Sequence, residues 1–351
     1  MKMKIKVGII GATGMVGQRF IELLQNHPWF EINALLASER SAGKKYGDAA
    51  SWYLKSQIPD DVWEMVVEEI NPKIVDRYNI DLIFSAIPSS VAREIEGSFA
   101  ENVPVFSNTS TYRMDSDVPL VIPEVNPEHL EMIEIQKKSR NWDGFIVTNP
   151  NCTTIGFVLP LKPIYDELGI ESVNIASMQA LSGAGYAGVP SMAILDNVIP
   201  FIRNEEEKVE EEPLKILGKL ENGKVEFANF EVFSSCNRVM VRDGHTISVF
   251  VRVGKDCDVE DLKRIFSKFR GEPQKLGLPR APEQPIVVMD KEDRPQPLFD
   301  RNQGKGMAVS VGRIRRKGNL FKFTSLSHNT IRGAAGASIL NAELVYKKKL
   351  F

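Results

Sequence analysis

A chain of 351 residues is too long for one ordinary hydrophobic core, so two domains are expected. Its 43% hydrophobic and 26% charged content is that of an average globular protein, and a formal charge of −2 gives no electrostatic case for nucleic acid. No apolar stretch reaches the ~20 residues of a membrane helix, and three dispersed cysteines, Cys152, Cys236 and Cys257, suit a reducing, cytoplasmic compartment.

In chain order, the opening "MKMKIKVGII" sets lysines before an apolar run, but glycines follow at once without a cleavage site. It reads as a strand over 4–10, not a signal peptide. Val16, Phe20, Leu23 and Leu24 then recur at i, i+4, i+7 and i+8, an amphipathic helix ending near His27-Pro28. Further strands are expected at 30–37, 81–87, 103–108 and 145–148, with a helix at 90–100. Such alternation predicts a Rossmann-type, doubly wound parallel sheet over residues 1–150. Beyond about residue 170 the strands 171–181, 225–235, 245–253, 307–314 and 320–326 have shorter connections. They predict a second α/β domain, residues 151–328, with a mixed sheet. The run "NEEEKVEEE" (204–212) reads as an acidic helix opening or a linker, with a solvated face as its plain explanation. The tail 329–351 looks helical, with small residues that permit close packing.

The glycines at 8, 11, 14 and 17 stand between the first strand and the first helix, where a tight turn and free helix N–H groups hold a pyrophosphate. Gly11, Thr13, Gly14, Met15 and Val16 are therefore candidate dinucleotide contacts. At the end of the second strand, "ASERSAGKK" offers Glu39 for a free ribose hydroxyl, or Arg40 flanked by Ser38 and Ser41 for a 2′-phosphate; the basic cluster tilts the reading to NADP. Cys152 lies in "NPNCTT", after a strand and at the start of a helix, where backbone N–H groups stabilise a thiolate. Four histidines are available as its partner. His27 ends a surface helix and His129 sits in a polar helix start, so His245, at a strand start after "RDG", ranks first and His328 second. The histidines are too dispersed for a metal site.

Together "GATGMVGQ", "SNTSTYRM", "NPNCTT", "MQALSGAGYAGVPSM", "EEEK", "NRVMVRDGHT" and "HNTIRGAAGAS" resemble aspartate-semialdehyde dehydrogenase of the archaeal and fungal branch. The resemblance runs along nearly the whole chain. It implies NADP-linked reductive dephosphorylation of L-aspartyl 4-phosphate to L-aspartate 4-semialdehyde, early in lysine, threonine and methionine biosynthesis. It implies a second domain that dimerises, giving a homodimer or a dimer of dimers, and a C-terminal helix returning to the first domain. By matching position, Cys152 is the acyl-thioester cysteine, His245 the acid/base and Gln179 the residue that positions the acyl group. Arg238 matches the clamp on the substrate carboxylate. An E-x-K pair, Glu206 and Lys208, faces the substrate amine and phosphate, although a slip to Glu205 or Glu207 stays open. Arg113 and Asn151 match the remaining phosphate contacts. Ser182 and Gly183 match a turn near the nicotinamide, and Asn329 a cofactor contact. The alternatives are a malonyl-CoA reductase on the same scaffold and, more remotely, a catalytically silent NADP-binding sensor.

Overall fold

Two six-stranded sheets, each packed on its own core, carry the chain. The structure is a computed structural model describing residues 4–351; the reading of Met1–Met3 as the lead into a strand lies outside them. The first sheet comprises β1 (Ile5–Ile10), β2 (Phe30–Ala37), β3 (Val67–Glu69), β4 (Leu82–Ser85), β5 (Val105–Ser107) and β6 (Ile146–Thr148). All pairs are parallel in the order β3-β2-β1-β4-β5-β6. The order reverses between β1 and β4, the crevice where doubly wound folds take their ligands. The helix α1 (Met15–Leu24) starts there, burying Phe20, Ile21, Leu23 and Leu24. Helix α2 (Ser89–Ala100) follows β4.

The second sheet is mixed. It holds β7 (Ile170–Gln179), β10 (Glu231–Arg238), β11 (His245–Val253), β12 (Ile286–Met289), β13 (Val309–Lys317) and β14 (Leu320–Ser327), while β8 (Lys219–Glu221) and β9 (Lys224–Glu226) form a separate hairpin. The order is β10-β7-β11-β14-β13-β12, with β10 parallel to β7 and β12 parallel to β13, and the other pairs antiparallel. Along β11, His245, Ile247, Val249, Val251 and Val253 are buried, so alternate side chains face one core.

The single strand expected over 225–235 is divided. Asn222-Gly223, both at positive φ, make a hairpin turn that pairs residues 224–226, as β9, with β8, and pairing with β7 begins only at Glu231. The short β3 and β12 were not expected from sequence.

Helix α3 (Cys152–Leu168) lies on the second sheet. Pro160 within it has no N–H, which leaves the Gly156 carbonyl, its i−4 acceptor, unmet. The Ser325 hydroxyl of β14 donates to that carbonyl at 2.6 Å. A proline that would weaken a free helix thus ties this one to the sheet. Helix α4 (Glu205–Ile216) is the acidic run, helix α5 (Val259–Lys268) packs Leu262 and Phe266 into the second core, and α6 (Gly336–Lys347) is the tail. Ile339, Leu340, Leu344 and Val345 of α6 share a core with Val7, Ile9 and Phe20.

Candidate active site

Strand β6 ends at Thr148, and after Asn149 and Pro150 the chain enters α3 with Asn151 as N-cap. The Asn151 side-chain oxygen accepts from Thr153 N at 2.7 Å and Thr154 N at 3.2 Å, and its amide donates to Glu205 at 3.0 Å. This side chain, expected from sequence to touch phosphate, aims the helix. Cys152 and Gly156 lie one turn apart on the same face. A Cβ on Gly156 would meet Ser327 Oγ at 2.6 Å and Ile247 Cδ1 at 3.1 Å, so glycine there lets α3 approach β11 closely. On the other side of Cys152, a Cβ on Gly333 would stand 2.6 Å from the cysteine Cβ. Between these close approaches, Cys152 Sγ sits 3.2 Å from His245 Nε2. The pair chosen from sequence is in contact.

The far nitrogen of the ring, Nδ1, accepts the backbone N–H of Ala180 at 3.0 Å, and Arg238 Nη1 donates to the Ala180 carbonyl at 2.6 Å. Gln179, at the end of β7, pairs in register with Arg238 of β10 and is buried. Gln179, Arg238, His245 and Cys152 thus share one end of the second sheet. Burial pushes the Cys152 thiol up to about 12, with Glu205 adding to the rise while Arg113 and Arg238 pull it down. Burial also lowers His245 to about 3, helped by the positive charge of Arg238. Desolvation thus opposes the thiolate that the backbone N–H groups of a helix N-terminus favour, and it favours the uncharged ring beside it.

The acidic helix is no solvated face. Glu205, Val209, Glu212, Pro213 and Ile216 are buried at i, i+4, i+7, i+8 and i+11. Glu205 reaches Asn151, and Glu212 binds Asn151 N at 2.7 Å while pairing with Arg113 Nη1 at 2.8 Å. A second face carries Glu206 and Glu210, which accept from Cys236 N and Ser234 N at 2.9 Å each and so satisfy free donors of the edge strand β10. Only Glu207 and Glu211 are exposed. Glu206 is thereby placed on the sheet edge, and the carboxylate brought to the nucleophile's helix is Glu205, which shares a helix face with Lys208 at i+3. Arg113 keeps Nε without a partner among the described residues. Its loop is held by Lys215, whose ammonium donates to the carbonyls of Arg113, Asp115 and Val118.

A cavity of about 850 Å3 opens at the switch point. Gly11, Thr13, Gly14, Met15 and Val16 form one wall and Ser38 and Arg40 one end. Gly11 has φ +81° and a Cβ there would meet Ala86 O at 2.5 Å, so the turn fits a backbone that must approach a ligand. Ser182 and Gly183, from the turn after β7, close the cavity. A Cβ on Gly183 would meet Arg238 Nη1 at 2.9 Å and His245 Cε1 at 3.2 Å, so this turn separates the cavity from the catalytic pair by one residue. The cavity's size, glycine wall and arginine fit a phosphorylated dinucleotide. Ser41 and Asn329 do not line it. Ser41 N bonds back to Ser38 O, and the Asn329 amide bridges Ser182 Oγ and Gly244 N, both at 2.8 Å.

The other histidines are not where sequence placed them. His27 is buried, 2.8 Å from Glu343, rather than ending a surface helix, and His129 is buried against Asn126 and Gly218 O. His328 is buried as well, and its carbonyl accepts Gly333 N. Cys236 and Cys257 are buried and unpaired. No group of three metal-binding side chains and no helix able to cross a membrane occurs among the described residues. Sequence reasoning missed Glu212, Lys215, Ala180 and Gly333. The spacing of Glu205, Val209, Glu212 and Ile216 was the available signal for the first.

Residues 6–133 match the family described as semialdehyde dehydrogenase, NAD binding domain, and residues 161–332 match the semialdehyde dehydrogenase dimerisation domain. An aspartate-semialdehyde dehydrogenase of Archaeoglobus fulgidus is 57% identical over 350 residues, spanning 99% of this chain and 100% of its own length. That of Schizosaccharomyces pombe is 48% identical over 355 residues, spanning 98% and 99%. Among solved structures, the Candida albicans aspartate semialdehyde dehydrogenase with NADP superposes with a TM-score of 0.91 at 44% identity, over 99% of this chain and 100% of that one. With matches of this extent lying over a cysteine–histidine pair beside a dinucleotide cavity, the chain belongs to the aspartate-semialdehyde dehydrogenase family.

Proposed function

We propose that the chain catalyses the NADP-linked reductive dephosphorylation of L-aspartyl 4-phosphate to L-aspartate 4-semialdehyde through an acyl-thioester on Cys152. One observation carries this reading: Cys152 Sγ lies 3.2 Å from His245 Nε2, next to the Gly183 turn that closes the dinucleotide cavity. An acyl phosphate is already activated, so the protein needs a sulfur nucleophile, cations for the phosphate and a proton-bearing group beside the sulfur. Arg113 and Lys208 supply the cations. Arg238 offers a planar fork to the substrate carboxylate, and Gln179 orients the acyl group. Glu205, rather than Glu206, faces the substrate amine, because it alone of the two turns toward Asn151. When bound, reduced NADP supplies the hydride. Gly11, Gly14, Ser182 and Gly183 hold it against the catalytic end of the second sheet, and Arg40 with Ser38 takes the 2′-phosphate.

The chain divides at about residues 150 and 328, and α6 completes the first domain. The second domain builds a homodimer or a dimer of dimers. Support comes from exposed Phe233 and Phe250, which flank Asn174 across the β10-β7-β11 face, and from exposed Tyr186, Met192 and Phe201. A cytoplasmic location follows from three unpaired cysteines and a reducing cofactor. The malonyl-CoA reading gains nothing from the matches. A coupled assay with NADPH, offering aspartyl phosphate and malonyl-CoA in parallel, tests both: phosphate release with NADPH consumption is expected from the first only. Turnover of malonyl-CoA alone would replace the reading.

A further inference from the structure

We propose that the buried Lys215 is a positioning residue: it fastens the loop after β5 to α4 and so sets the Arg113 guanidinium beside Cys152. An ammonium carries three protons and no acceptor. Those of Lys215 go to the carbonyls of Arg113 at 2.6 Å and of Asp115 and Val118 at 2.8 Å each. The loop prepares this point by itself. Asp115 N bonds Tyr112 O at 3.1 Å and Val118 N bonds Asp115 O at 3.2 Å, so successive turns aim their carbonyls together. Burial pulls the ammonium down to about 8, while Asp115, Asp117 and Glu212 pull it back up. A neutral amine has one proton too few for the three oxygens.

The lysine joins two cores. Tyr112 and Val118 of the loop pack on the first sheet, whereas Val209 and Ile216 of α4 pack on the second. On its outer side the loop is held by Arg93 of α2, 3.0 Å from Asp115, and by Arg140, 2.9 Å from Asp115 and 2.6 Å from Asp117. Those ion pairs shape the loop but leave its distance from α4 open. Glu212, one turn before Lys215 on α4, pairs with Arg113 Nη1 at 2.8 Å through one oxygen. Through the other it accepts Asn151 N, at 2.7 Å, from the cap of the nucleophile's helix. Arginine and nucleophile thus hang from one carboxylate, and Lys215 pins the main chain from which the arginine reaches it. The charge of Arg113 is near enough to pull the Cys152 thiol down, as does Arg238, against Glu205.

An anion binder serves a reaction only in its place, and a displacement of about 1 Å can cost about 10²-fold in rate. The phosphate role of Arg113 rests on the aspartyl-phosphate reading, whereas its charge beside the sulfur is a property of the protein alone. Lys215→Met keeps the apolar stem and removes the donor. The outer ion pairs with Arg93 and Arg140 remain, so the loop keeps its shape while its tie to α4 is lost.

Alkylation of Cys152, followed by mass spectrometry of its peptide, reads that charge without substrate. Iodoacetate is an anion and iodoacetamide is neutral, so the ratio of their rates reports positive charge at the sulfur, and general changes in thiol reactivity cancel. Arg113→Ala is expected to lower the ratio about tenfold and Lys215→Met about fivefold. The double variant should fall no further than Arg113→Ala alone, because the lysine acts through the arginine. Inorganic phosphate should protect Cys152, and Lys215→Met should need roughly tenfold more of it while NADP affinity stays unchanged. Lys215→Gln, with a shorter side chain and two donors, serves if the methionine variant does not fold, and its ratio should fall as well. A lower melting temperature with an unchanged ratio would make the lysine a fastening of the fold alone and overturn the proposal. A double variant well below Arg113→Ala would overturn it too. If phosphate gives no protection in the unsubstituted protein, the substrate reading falls while the ratio still decides the role of Lys215.

Discussion

Beside the first sheet, a single stretch from Gly11 to Val16 supplies one cavity wall. The catalytic centre draws Cys152, Gln179, Glu205, Arg238, His245 and Gly333 from separate segments and places them with side-chain and backbone bonds between distant elements. The first region is a local solution: a strand, a turn and a helix in sequence order generate a phosphate-binding concavity wherever they occur. The second exists only when six segments meet. Damage should therefore separate cleanly, with substitutions at the sheet end removing chemistry while the glycine turn keeps its ligand.

Cys152→Ser is the sharpest separation. Replacing the thiol by a hydroxyl of much higher pKa is expected to lower turnover by roughly 10³-fold or more while the chain still folds. Cofactor titration by fluorescence should show unchanged NADP affinity; weakened binding would mean that the two regions are not separable. Next comes a matched pair on α4. Glu205→Gln is expected to cut kcat/KM by about 10²-fold, because it alters a charge beside the nucleophile and its N-cap. Glu206→Gln should leave kcat/KM within a few-fold and lower stability by about 1 kcal/mol through its bond to Cys236 N. The reverse ranking in steady-state kinetics would restore Glu206 to the site.

Acid should distinguish the regions by stability. His129 and His328 are lowered to about 4 and His245 to about 3, all chiefly by burial, from an ordinary value of 6.5. Each folded-state pKa lies below the unfolded one, so below pH 6.5 the unfolded chain takes up protons that the folded chain refuses. Their contribution is fully present above 6.5 and is lost as pH falls toward 4, or toward 3 for His245, at about 1.4 kcal/mol for each unit by which the pKa is lowered. His245 stands in the catalytic centre, His328 follows β14 of the same sheet, and His129 bonds Gly218 before β8. Hydrogen exchange at about pH 5 should therefore rise in the second sheet and α3 before it rises in β1 and β4. Simultaneous loosening would contradict this. A further effect is expected at the cavity end. Arg40→Ala should weaken NADP by about 1.5–3 kcal/mol and NAD far less, read by calorimetry. Equal weakening of both would return Arg40 to ordinary surface.

How much could be read in advance follows the same divide. The glycine turn, β2 and the alternation of strands and helices were legible, because each is written in consecutive residues. Cys152 and His245 were legible as residue types in suggestive places, and their contact awaited the register of β11 with β7 and β14. The acidic helix misled because charge at Glu205 and Glu212 looks like solvation until the partners Asn151 and Arg113 are known. His27 misled for the same reason, since its partner Glu343 lies near the far end of the chain. Ala180 left no trace at all: its contribution is an N–H group, which every non-proline residue has. The divided strand at 225–235 had a warning in Asn222-Gly223 that a hydrophobicity pattern alone passes over.

The bond from Ser325 to the Gly156 carbonyl has a consequence during synthesis. It joins positions 169 residues apart, and until it forms the helix that carries the nucleophile has a gap at Pro160. At ~5–20 residues per second, the ribosome adds those residues in about 10–30 s. For that time a nascent chain can hold a finished cofactor turn and an unaligned cysteine. The thiol is brought to order last, by a strand made long after it.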